Sequence, residues 1–139
     1  MRFPILALTA LVLGAAAARA ERPADFEAAF AAEARRADPA FAGFAAARGE
    51  RLFRETQGGD WSCATCHGAT PTGPGEHTVT GKRIEALAPA ANPGRFTDAA
   101  KVEKWFKRNC NDVLARPCTA QEKGDLLAWL VSLPAKETR

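Results

Sequence analysis

The sequence predicts an all-α domain, and three observations carry that prediction. Apolar residues recur at three- and four-residue intervals in several segments. Those segments begin with capping residues and end at Gly or Pro, and no run alternates polar and apolar residues as a half-buried strand would. The length, 139 residues, is that of a single domain.

The first element is a secretory signal. Arg2 supplies its positive start, Phe3 to Ala18 is almost wholly apolar, and Ala18-Arg19-Ala20 forms an A-x-A cleavage site. Its apolar part is too short to span a bilayer comfortably, and no later apolar run supports a retained anchor. The mature chain is therefore expected to begin at Glu21, with an N-terminal helical segment over 21–47 and the main domain over 48–139. Without Arg2 and Arg19, 17 basic residues face 16 acidic ones, and no basic cluster suits nucleic acid or anionic lipid. Lys101, Lys104, Lys107 and Arg108 read as the solvated face of one helix, with steering of a redox partner as the alternative.

The first helix is expected over about Asp25 to Arg36, with Phe26, Ala29, Phe30 and Glu33 at helical spacing. A second starts at Asp38 as N-cap with Pro39 in its first turn, and stops before Gly58-Gly59, with a break open at Gly43 or Gly49. Next comes Cys63-Ala64-Thr65-Cys66-His67. Two thiols one helical turn apart can each form a thioether with a haem vinyl group, and the histidine after them then lies under the iron. A thioredoxin-like CxxC or half a zinc site uses the same spacer. No strand-helix-strand pattern surrounds this one, however, and no second CxxC or His pair completes a zinc shell. The motif therefore points to one covalently attached haem c. Gly68 to Gly81 is loop by composition, and Leu87 to Gly94 continues as irregular chain around the cofactor. Thr97 is expected to cap a third helix through about Asn109. Thr119-Ala120-Gln121-Glu122 is a capping box for a last helix ending before Pro134.

Export places the cysteines in an oxidising compartment. Cys110 and Cys118, left over from the haem motif, are expected to pair, with free thiols or metal ligation as the alternatives. Gly49 and Phe53 on the second helix, with Leu126, Trp129 and Leu130 on the last, have the makings of a close helix crossing filled by aromatics. With CxxCH between them, the arrangement resembles the class I cytochrome c fold, here with an extra N-terminal helix.

Such a haem usually has a methionine on its far side, but the only methionine is Met1, which leaves with the signal. The remaining candidates are His77, a lysine, an asparagine or no protein ligand at all, and the lysines fall on the polar side of the third helix. His77 is the obvious chemical substitute, but it lies in a Gly/Pro loop only ten residues after His67. It reads better as a surface or propionate-contacting residue. Val102, Trp105, Phe106 and Asn109 stand at i, i+3, i+4 and i+7, an apolar stripe ending in an amide that needs a partner. Asn109 is thus either an iron ligand or a helix C-terminal cap.

Several stretches resemble the sphaeroides haem protein, a family of small bacterial c-type cytochromes. They are Gly81-Lys82, Leu87-Ala88-Pro89, Arg95-Phe96-Thr97-Asp98, Val102-Glu103-Lys104-Trp105, Arg108-Asn109-Cys110-Asn111, Cys118-Thr119 and Glu122-Lys123 through Leu130. The similarity runs from about Arg48 to Val131. It implies Cys63, Cys66 and His67 as haem attachment, Asn109 as sixth ligand and a Cys110 to Cys118 disulfide beside the haem. A related cytochrome family has histidine where Asn109 stands. The resemblance further implies an electron carrier whose reduced form binds oxygen transiently. Its expected electron donors are a dihaem cytochrome c and a membrane cytochrome b. Export places the chain in the periplasm, where a monomer or weak dimer is expected, and loss of Asn109 on reduction is expected to open a face lined by Trp105 and Phe106 to a small diatomic (O2, NO or CO). The competing functions are a plain electron-transfer cytochrome, in which Asn109 never leaves, and a haem enzyme reducing peroxide or nitrogen oxides.

Overall fold

A computed structural model describes residues 20–135. The predicted signal over 1–20 lies, except for Ala20, outside the described residues. The first helix, α1 (Pro23–Ala37), buries Phe26, Phe30 and Ala34 on one face. The second was expected to start at Asp38, and the structure corrects this. The Asp38 N–H closes α1 on the Ala34 carbonyl at 2.8 Å, and its carboxylate accepts the Ala40 N–H at 2.9 Å, an Asx turn rather than a cap. The chain stays non-helical through Ala45, with Gly43 at φ +106°, and α2 spans only Ala46–Arg54.

The reason is a distant partner. Buried Asp125 accepts the Ala45 N–H at 2.7 Å and both Nε and Nη2 of Arg48, at 2.7 and 2.9 Å, while Nη2 also reaches the Gly43 carbonyl at 2.9 Å. A helix running through 38–45 would break this network and leave the Asp125 carboxylate with unmet hydrogen bonds. Tertiary pairing therefore overrides the local helical pattern.

The last helix, α5 (Ala120–Ser132), begins at the predicted capping box, with Glu122 N–H on Thr119 Oγ1 at 3.1 Å and Thr119 N–H on Glu122 Oε2 at 2.8 Å. It crosses α2 at Gly49, where a Cβ would run into the Asp125 carbonyl. Phe53 and Trp129 fill the space beside the crossing, ring centroids 4.7 Å apart. The N-terminal helix also packs on α5, so Phe26 and Phe30 join Phe53, Leu126, Leu127, Trp129 and Leu130 in one core.

Between α2 and α5 lie four further elements. The haem motif forms α3 (Cys63–His67). No strand was expected, yet β1 (Gly75–Glu76) pairs antiparallel with β2 (Arg83–Ile84). Two residues per strand are too few for alternation to show in sequence. The third predicted helix, α4 (Ala99–Leu114), is capped by Asp98, which accepts the Lys101 N–H at 3.0 Å. Thr97 does not cap it; its hydroxyl donates instead to the Gly94 carbonyl at 3.0 Å. The helix also continues five residues beyond Asn109, to a left-handed Ala115.

Candidate functional site

Helix α3 is short and held locally. Ser62 is buried at its start, its N–H donating to Thr65 Oγ1 at 3.0 Å, and Gly68 ends it at φ +76° with a bond to the Ala64 carbonyl. The Ser62/Thr65 pair is a capping box inside the motif, so the CxxCH spacer contributes structure of its own. Cys63 and Cys66 are free thiols. Burial pushes the Cys63 thiol up to about 11, and Cys66 Sγ sits 3.1 Å from Thr78 Oγ1.

The His67 ring packs 6.2 Å from the Phe53 ring. Burial, and secondarily the nearby Arg95 cation, lower His67 to about 4, so the imidazole is neutral and its lone pair is available near neutral pH. Arg95 also fastens the loop after β2, donating to the Ala86 and Glu85 carbonyls at 3.0 and 2.8 Å. The Pro71 carbonyl accepts from both Leu87 and Ala88 at 3.0 Å. These tethers were not visible in sequence, because their partners lie across the loop.

Gly75 places β1 against the pentad; a Cβ there would collide with the Cys66 carbonyl and His67 Cα. His77 is engaged in the turn of the same hairpin. Its Nδ1 accepts the Val79 and Thr80 N–H groups at 3.2 and 3.4 Å, which gives this histidine a turn-forming role.

The predicted stripe on α4 divides in two. Val102 is buried and Phe106 meets Phe30 edge-on at 5.7 Å, whereas Trp105 is 44% exposed and Asn109 is exposed beside it. Lys104 and Arg108 flank the Trp105 ring at 5.6 and 5.8 Å. Because α4 runs on to Leu114, Asn109 stands inside the helix and is not its C-terminal cap. Among the described residues its amide has no hydrogen-bond partner. The next residue, Cys110, is buried and disulfide-bonded to Cys118, Cα to Cα 5.5 Å.

The donor set fits a covalently held haem. Two unpaired thiols and a neutral imidazole lie within five residues. Cys63, Ala64, Leu87 and Phe106 pack around the Phe53 core, and Trp61 and Trp105, at 39% and 44% exposure, offer further apolar surface. Among the described residues no helix is long and apolar enough to cross a membrane.

Residues 39–130 match a family described as a domain of unknown function, DUF1924. The chain is 50% identical over 131 residues to cytochrome c-type protein SHP of Cereibacter sphaeroides, covering 91% of this chain and 96% of that protein. Among solved structures it is similar to oxidised SHP, an oxygen-binding cytochrome c, with 49% identity and TM-score 0.73 over 82% of this chain and 99% of that one. The solution structure of cytochrome c'' from Methylophilus methylotrophus, described with the structural basis of its haem-ligand detachment, is similar at 33% identity and TM-score 0.73, over 84% and 97% of the two chains. With the helix crossing, the disulfide and the CxxCH pentad already in place, these relatives make the chain a member of the SHP family of all-α c-type cytochromes, carrying covalently bound haem c.

Proposed function

We propose that this chain is an exported, periplasmic monohaem electron carrier in which Cys63 and Cys66 form the thioethers and His67 is the proximal ligand. Asn109 is its sixth ligand in the oxidised state and is released on reduction. The observation that carries this reading is Asn109 itself: an exposed amide inside α4, beside Trp105, with no hydrogen-bond partner among the described residues. It belongs to a chain whose only methionine is Met1.

Haem c, when bound, supplies a one-electron couple and an iron able to take a diatomic ligand. The Asn109 amide is a hard, neutral oxygen donor, better matched to ferric than to ferrous iron, so its hold weakens on reduction. With the amide released, the stretch of α4 that carries Trp105 and Phe106 would offer room for O2, NO or CO. The oxygen-binding SHP relative and the ligand detachment of cytochrome c'' support this order of events. A dihaem cytochrome c and a membrane cytochrome b are the proposed donors.

Ferric and ferrous absorption spectra, with and without CO, test the reading on wild type and Asn109→Ala. The variant's ferric spectrum should leave the low-spin form while its ferrous CO complex survives. A wild-type ferrous spectrum that stays six-coordinate low-spin and ignores CO would rule out release.

A further inference from the structure

Helix α4 has little backbone packing of its own, so a few side chains determine its position. At its start Glu21 Oε2 accepts the Ala99 N–H at 2.7 Å, and toward its end Cys110 is tied to Cys118. At the middle stands Lys123 of α5, whose side chain is only 13% exposed. Its Nζ bonds both carboxylate oxygens of Glu103 on α4, at 2.8 and 3.1 Å. The same cation lies over two rings, Phe30 of α1 at 5.4 Å and Phe106 of α4 at 5.9 Å. Those rings meet edge-on at 5.7 Å, so one ammonium group joins α5, α1 and α4 at a single point.

We propose that Lys123 is a positioning residue for the sixth ligand: by clamping α4 through Glu103 and the Phe30/Phe106 slot, it sets how firmly Asn109 is held toward the iron. This rests on the assignment of Asn109 as ligand. Phe106 precedes Asn109 by three residues, so a displacement of α4 at the slot is carried along the rigid helix to the amide. The N-terminal helix thereby gains a role at the site, since Phe30 is its contribution to the clamp.

The test uses the haem-loaded chain and imidazole as the competing ferric ligand, at alkaline pH. Imidazole is neutral there, so the lost lysine charge does not itself alter its attraction. Lys123→Met keeps an unbranched stem in the slot but removes the cation, and should speed imidazole binding to the ferric protein roughly 3- to 10-fold. Lys123→Arg should restore the wild-type rate, and Glu103→Gln should reproduce the acceleration more weakly. Amide hydrogen exchange along α4 should rise in Lys123→Met while that of α5 does not.

In an Asn109→Ala background the Lys123 effect must vanish, because no amide remains to be held. An unchanged rate in Lys123→Met, or an acceleration that persists without Asn109, overturns the clamp. If Asn109→Ala leaves the ferric spectrum as in wild type, the ligand assignment itself fails and the clamp falls with it. An altered ferric spectrum together with an indifferent Lys123 sinks the clamp alone.

Discussion

The two regions that bear the candidate haem ligands are built in opposite ways. The pentad side is backed by backbone. Gly75 lies directly on the Cys66 and His67 main chain, and Gly49 lets α2 sit directly on α5. Phe53 spans from Trp129 to His67. The α4 side is held by side chains, namely one disulfide, one lysine, one glutamate at the helix start and a pair of phenylalanines. Contacts made by backbone at van der Waals distance have nowhere to move, whereas a helix tethered by side chains can shift by rotamer changes. The contrast suits the proposal that His67 is kept as a ligand while Asn109 is released.

The largest effect is expected where backbone meets backbone. Gly49→Val would force α2 away from the Asp125 carbonyl and loosen the Arg48 to Asp125 pairing that depends on it. A loss of about 3 kcal/mol or more is expected in denaturant unfolding. A loss below about 1 kcal/mol would show that the crossing is softer than the comparison claims.

Next is the disulfide on the yielding side. Converting Cys110 and Cys118 to serine opens a short loop and should cost about 2 to 3 kcal/mol. The sharper readout is local: hydrogen exchange should accelerate in α4 ahead of α5. Uniform acceleration would mean that α4 is no more independent than the rest.

The smallest effect concerns the N-terminus of α5. The Arg116 guanidinium, bonded to Glu122 at 2.8 and 2.6 Å, holds that carboxyl below its ordinary value. Burial opposes the shift and the Thr119 N–H reinforces it. A carboxyl depressed on folding contributes stability above its unfolded value and loses it as pH falls through the folded one. Glu122→Gln keeps the capping box and should cost less than about 1 kcal/mol at neutral pH. The gap to wild type should begin to shrink below about pH 4.5, where the unfolded carboxyl protonates, and close once pH has fallen through the lower folded value. A gap that instead persisted in acid would assign the loss to packing.

Legibility followed the reach of each interaction. The Gly49 crossing could be read because glycine and aromatics at helical spacing are a local signature, and the Thr119 to Glu122 box because its partners are three residues apart. Asp98 rather than Thr97 caps α4 because two good capping residues stand side by side, and only the geometry of the preceding turn separates them. The roles of Gly75, Arg95 and His77 were hidden, each depending on backbone groups of a folded loop. The cap alternative for Asn109 fell only when α4 proved to extend to Leu114.

Taken alone, the sequence pointed to the covalent haem motif, the helical class and the pairing of the two remaining cysteines, and it holds a single methionine, Met1. These rest on residue identity and on neighbours within a few positions. The tertiary structure alone decided where α2 begins, that α1 belongs to the core, and which side chains position α4. The start of α2 is set by a carboxylate 80 residues away, at Asp125. The position of α4 is held by side chains of other elements, among them Glu21, Cys118 and Lys123. No local pattern encodes which distant groups will be buried together, and the free energy of desolvating and pairing them outweighs the small helix preferences of the residues between.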